Sequence, residues 1–190
     1  MNKEQHTGTP SEPRPGERIA IPGARAVDHA GFVVPDLDQA VGFFRDVLGA
    51  ALLWQIGPID KGKVDLSAMF HADRQATVRL AMMRLGPNLN VELLEFALSN
   101  ERRVAPLSSD VGVGHLAFAV DDIEAAGAYL SSKDVHLLEG PQLNHEGPAA
   151  GQSSWFFLTP WDMAVELIQS PATLPYEKDT AARLFREARR

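Results

Sequence analysis

From Val27 the chain alternates apolar residues with polar or small ones, V-D-H-A-G-F-V-V. After Asp36 it changes to helical spacing, with Leu37, Val41 and Phe44 on one stripe. From Val113 the pattern returns as V-G-H-L-A-F-A-V, followed by Asp122 and the stripe Ile123, Ala126 and Leu130. The two stretches align without a gap: Val113, His115, Phe118, Val120, Asp122 and Ala126 each stand 86 positions after Val27, His29, Phe32, Val34, Asp36 and Ala40. Such self-similarity marks two copies of one structural unit. Each copy opens with a strand and then sets an aspartate to cap a helix. Strand-like runs follow the first helix at 51–56, 77–85 and 90–97, punctuated by Gly57-Pro58 and Gly86-Pro87; the second copy has a weaker run at 135–138, then 154–158 and 163–169. Each unit is therefore predicted to be a βαβββ module. Neither half has enough apolar surface alone, so two four-stranded sheets must pair, within the chain or across a homodimer.

The rest of the chain sorts around these modules. Residues 1–24 mix Pro, Gly, Ser, Glu and Arg without hydrophobic period and read as a flexible tail. The first module spans 25–98, a linker 99–112 and the second module 113–170. Residues 171–190 carry Ala181, Leu184 and Phe185 on an amphipathic stripe with basic residues near the end, which predicts a C-terminal helix for core or dimer packing. A net charge of -7 with scattered Lys and Arg offers no footprint for nucleic acid. No stretch approaches the length of a membrane span and no signal sequence is visible, so a cytoplasmic location is the default expectation. With no cysteine among 190 residues, any metal must be held by nitrogen and oxygen.

Residues two apart on a strand share a face. His29 shares its face with Gly31 and Val33, and His115 with Ala117 and Ala119, while Phe32, Val34, Leu116, Phe118 and Val120 point the other way. The bulk is thus expected against the helices, and the histidine side beside small residues that leave room for a cavity. The last strand of each module supplies an acid: Glu92 in V-E-L-L-E-F and Glu166 in V-E-L-I-Q-S. A carboxylate on a buried strand face is costly unless paired or bound to a cation. One such histidine is ordinarily a hydrogen-bonded core residue and one such acid an ion-pair partner. Four residues at repeat-related positions favour a shared site. Glu95 falls on the opposite face from Glu92, so it is expected at the surface or against the helix. Trp155 and Trp161 read as apolar wall, Arg79 has no visible partner, and His6, His136 and His145 read as tail or surface.

The block V-D-H-A-G-F-V-V-P-D-L-D-Q-A-V-G-F-F-R-D-V-L-G, with G-H-L-A-F-A-V-D-D and F-F-L-T-P-W-D-M-A-V-E-L, resembles the vicinal oxygen chelate superfamily of glyoxalases, bleomycin-resistance proteins and extradiol dioxygenases over about residues 27–169. The stretch from Gly151 to Pro171, followed by L-P-Y-E, is similar to a branch that includes 2-epi-5-epi-valiolone epimerases, with Asp162 where that branch has Gly. The resemblance implies an α+β fold in which two βαβββ modules form a cupped mixed sheet around one divalent ion. It places His29, Glu92, His115 and Glu166 on the four metal-ligand positions. That donor set suits Zn, Mn, Co, Ni or Fe(II). The implied activity is isomerisation or epimerisation α to a carbonyl, on a small molecule with vicinal oxygens such as a cyclitol or sugar-like hydroxyketone. The ion would polarise the carbonyl and stabilise an enediolate. Glu166 and Glu92 are the first candidates for the base, and His71 and Asp73, in the non-periodic segment D65-L-S-A-M-F-H-A-D-R, are a second possibility. A glyoxalase I-type lyase is disfavoured by Val33, where that family usually has Arg. A dioxygenase is disfavoured by the fourth ligand, and a non-catalytic drug-binding protein by the intact quartet.

Overall fold

The computed structural model describes residues 19–98, apart from 61 and 63, and residues 106–186. Its elements run β1 (Ala30–Val33), α1 (Leu37–Asp46), β2 (Ala51–Ile59), α2 (Leu66–Phe70), β3 (Thr77–Leu85), β4 (Leu89–Ala97), β5 (Leu116–Ala119), α3 (Ile123–Ser132), β6 (His136–Leu137), β7 (Gln142–Leu143), β8 (Ser153–Leu158) and β9 (Ala164–Gln169). The fold is α+β, with one mixed sheet ordered β1-β4-β3-β2 and another ordered β5-β9-β8-β6, where β7 also pairs with β8. In each sheet the opening strand lies parallel to the last, β1 on β4 and β5 on β9. This joins the histidine end of every module to its acid end. The expected fourth strand of the second module is broken in two, because β6 and β7 pair with opposite ends of β8 around Gly140-Pro141.

The repeat shows most plainly at the helix starts. Asp36 accepts from the Gln39 N–H at 2.9 Å and Asp122 from the Ala125 N–H at 3.0 Å, satisfying donors that the first helical turn cannot. The first residue of each helix is held from the sheet as well. Leu37 N–H donates to Glu95 Oε2 at 3.4 Å and Ile123 N–H to Gln169 Oε1 at 2.8 Å. Glu95 and Gln169 each stand three residues after Glu92 and Glu166, so both helices dock on their sheets by the same device. Glu95 also accepts from Arg79 Nη1 at 3.1 Å, and Arg79 Nη2 reaches both Asp38 oxygens at 2.8 Å. Arg79 thus belongs to the helix side, pairing with both the sheet and α1. The guanidinium holds the Asp38 carboxyl below the usual carboxylate range, with Gln55 helping.

One apolar core runs through both modules, from Phe44, Leu37, Met83 and Val91 to Phe157, Val165 and Leu167. Full burial of a side chain such as Phe44 contributes about 1.5–3 kcal/mol. Trp161, in the turn between β8 and β9, lies over Phe43 and Phe44 of α1 with ring centroids 5.8 and 6.4 Å away. Tyr129 of α3 donates to the Val47 carbonyl at 2.9 Å. The modules of one chain therefore meet through their helix sides, and among the described residues no strand of one sheet pairs with a strand of the other. Trp155 also belongs to that side: it donates to the Leu138 carbonyl at 2.8 Å and lies so close to α3 that a Cβ on Gly127 would fall 2.3 Å from its ring. Asp162 takes φ 63° in the β8–β9 turn, a left-handed conformation that glycine adopts freely and aspartate tolerates.

Two expectations are corrected. The expected C-terminal helix over 171–190 is absent from the described part, 171–186, which holds only a 3-10 turn at Pro175–Lys178; Leu184 and Phe185 are exposed. Pro171 and Pro175 punctuate the segment, and Arg183 and Arg186 bond to backbone carbonyls rather than projecting from a regular turn. The segment 65–71 is not plain loop either. Asp65 caps α2, whose Leu66 and Phe70 pack with Val78, Leu80, Leu94 and Phe96 on the sheet face opposite α1. Most of the predicted tail, 1–18, and half of the predicted linker, 99–105, lie outside the described residues. Among the described residues no helix is long and apolar enough to cross a membrane.

Candidate metal centre

His29 sits immediately before β1, and Gly31 pairs in register with Glu92 on β4. The imidazole Nε2 therefore comes to 3.5 Å from Glu92 Oε2. In the second module His115 sits immediately before β5, Ala117 pairs with Glu166, and His115 Nε2 lies 3.2 Å from Glu166 Oε2. Both carboxylates are mostly covered, with 17% and 14% of the side chain exposed, while the imidazoles are 36% and 48% exposed. Each pair thus sits on the sheet face away from its helix, the histidine at the rim and the acid on the floor. On that face Gly31, Val33, Ala117 and Ala119 are exposed, whereas Val34 on the other is buried. A Cβ at position 31 would make only ordinary contact with the acid, 3.8 Å from Glu92 Oε2.

The two histidines are oriented differently. Asp28 Oδ1 lies 2.8 Å from His29 Nδ1, which fixes Nδ1 as the protonated nitrogen and turns Nε2 toward Glu92. The same hydrogen bond is the main cause of a His29 pKa above the ordinary value; Glu92 adds to it and partial burial opposes it. At the corresponding place in the second module stands Gly114, and His115 instead has the edge of Phe156 against it, centroids 5.4 Å apart. Asp28 was not singled out by strand alternation, because its partner is its chain neighbour and its repeat mate has no side chain.

The donor chemistry fits a divalent ion. Two ligands at bond lengths of about 2.1 Å stand about 3.0 Å apart at a right angle and about 3.4 Å apart at the tetrahedral angle. The N···O separations of 3.2 and 3.5 Å are of that size. The four predicted ligands are brought together as two pairs and not as a quartet: among the described residues no three His, Cys, Asp or Glu side chains stand close enough to hold one ion. Each module presents one histidine–glutamate pair on its open face. Glu95 faces α1 and takes no part. His71 ends α2 in a left-handed conformation at φ 55°, exposed, and is not brought to either pair. His136 and His145 are exposed, and His6 lies outside the described residues.

A parallel pairing that sets histidine against acid, made twice in one chain by a β-α-β repeat, defines an enzyme of the vicinal oxygen chelate type. The match of residues 26–167 to the model of the Glyoxalase/Bleomycin resistance protein/Dioxygenase superfamily shows that the chain belongs to that family. It is 45% identical over 166 residues to a 2-epi-5-epi-valiolone epimerase from Actinomyces sp., covering 87% of this chain and 90% of that one. It is 28% identical to a lactoylglutathione lyase from Schizosaccharomyces pombe, with 78% of this chain aligned to 49% of that protein. A glyoxalase family protein from Bacillus cereus shares the fold, with a TM-score of 0.60 at 16% identity over 80% of this chain and 99% of its own.

Proposed function

We propose that the protein is a divalent-metal-dependent epimerase acting α to a carbonyl, and that its site is completed across a homodimer. In this reading His29 and Glu92 of one copy and His115 and Glu166 of a second copy hold one ion. The observation that carries it is the paired geometry: each module sets one imidazole nitrogen and one carboxylate oxygen 3.2–3.5 Å apart on an open sheet face. The helix sides of the modules are already packed against each other, which favours a second copy as the partner for the open faces. The first of these faces also exposes Val33, Trp54 and Ile56 beside the half-site, and apolar surface next to an incomplete site is what a second copy would cover.

When bound, a divalent ion would polarise a substrate carbonyl and acidify the adjacent C–H. The residues do the rest. Asp28 keeps His29 in one tautomer, the two acids neutralise the ion, and Glu166 takes the α proton from one face, while solvent supplies the proton that returns to the opposite face. The relative at 45% identity is named for 2-epi-5-epi-valiolone, which puts that hydroxyketone first among substrates to try. A glutathione-type lyase needs a cation for the peptide carboxylate; at the corresponding place Val33 stands on the open face, 66% exposed. The test is deuterium wash-in. With Zn, Mn, Co, Ni or Fe(II) present, the ketone should take up solvent deuterium at its α carbon, and a chelator should stop it. Ring-opening of a catechol without wash-in would contradict the proposal.

A further inference from the structure

The two open faces are not chemically equivalent, and the difference follows the repeat residue by residue. In the first module the row across the sheet next to Glu92 is Ile56, Leu80, Leu94 and Val33, all apolar, as cross-strand register shows. The corresponding row beside Glu166 is Gln142, Ser154, Ile168 and Ala119. One row further, Val78 and Phe96 in the first module correspond to Gln152 and Ser170 in the second. The apolar rows are capped by α2, which puts Leu66 and Phe70 over Val78, Leu80 and Leu94. Between β7 and β8 the second module has a loop in place of that helix, so among the described residues no helix like α2 covers the polar rows.

These side chains face the half-site. Trp155 and Phe157, which flank Ser154 and Phe156 on β8, are committed to α3 and the core, so Ser154 and Phe156 point to the other side, where Phe156 meets His115. Gln152 Nε2 donates to Ser170 Oγ at 2.9 Å across the strands, which holds the amide flat on that face with its carbonyl still able to accept. Ser154 is half-buried, and among the described residues its hydroxyl makes no hydrogen bond. Ser154 is two residues along the face from the row of Glu166, about 6.6 Å at 3.3 Å per residue.

Resting on the reading of His115–Glu166 as half of the catalytic site, we infer that Gln142, Gln152 and Ser154 form a polar wall that binds the non-reacting hydroxyls of a polyhydroxylated cyclic substrate. The exposed Val33 and Ile56, at the two ends of the first module's apolar row, receive its C–H side. The chain thereby selects ring polyols over small hydroxyketones, by a wall that the first module lacks.

The test uses metal-reconstituted protein and myo-inositol, a ring polyol with no carbonyl to react, titrated calorimetrically. Wild type should bind it, Ser154→Ala should weaken binding about threefold or more, and Ser154→Ala with Gln152→Leu at least about tenfold. Ser154→Thr, which keeps the hydroxyl, should restore binding. If the double variant does not fold, the Ala and Thr single variants decide. Affinities that are equal across the series, absent binding by wild type, or a Thr variant as weak as Ala would overturn the wall, whatever the exchange assay shows. Loss of inositol binding in the variants without any deuterium wash-in by wild type would keep the wall and sink the proposed reaction.

Discussion

Glu166→Gln is expected to cut α-deuterium wash-in by a factor of about 10²–10⁴, the range for removal of a positioned general base. Glutamine keeps the size of the side chain and an oxygen that can ligate, but not the basicity that takes the proton. Glu166 is the stronger candidate of the two acids because its face continues into the polar row of Ser154, whereas Glu92 adjoins Leu80 and Leu94 beneath α2. The comparison is made with Glu92→Gln under saturating metal, with metal content measured on the same samples. A Glu92→Gln variant that loses more exchange than Glu166→Gln, at equal metal content, would move the base to the other module.

The two glutamates of β4 should separate cleanly. Glu92→Ala removes one of the two donors of its half-site, 3.5 Å from His29, and should lower metal affinity by at least about 10- to 100-fold, a loss seen even when residues outside the ligand shell are removed. Glu95→Ala should leave metal content unchanged, because Glu95 lies on the opposite face. Its cost falls on the fold. The variant strips Arg79 Nη1 of an acceptor and the first N–H of α1 of its partner, and should lose about 1–3 kcal/mol of stability. Elemental analysis and thermal melting on both proteins check the pattern. Lost metal with Glu95→Ala and retained metal with Glu92→Ala would place the whole β4 register one residue out.

What the sequence made legible was whatever repeats. The 86-residue offset located both strand–helix openings, and alternation along the strands put Glu92 and Glu95 on opposite faces. Both are properties of a single strand or a single turn. What escaped depends on contacts between distant elements. Arg79 has no partner in its neighbourhood in the chain, and finds Asp38 and Glu95 only once α1 docks on the sheet. Asp65 could have been read as a cap, yet α2 has only five residues, too few for a period to show. The C-terminal stripe has the right spacing for a helix, but bonds from Arg183 and Arg186 to backbone carbonyls hold that segment in another shape. Nor could the repeat say whether a module pairs with its own chain mate or with another copy's, since both use the same surfaces.

That last point is decided by mixing two variants that each lack one half-site. His29→Ala with Glu92→Ala destroys the first pair, and His115→Ala with Glu166→Ala the second; either protein alone should bind no ion and show no wash-in. Unfolded together and refolded at equal amounts, the two should form mixed dimers in which one site receives both intact pairs and the other neither. Half of the dimers are mixed, so about a quarter of wild-type metal content and exchange should return. If the mixture stays as inactive as its parts, all four ligands belong to one chain, and the two-copy site is wrong.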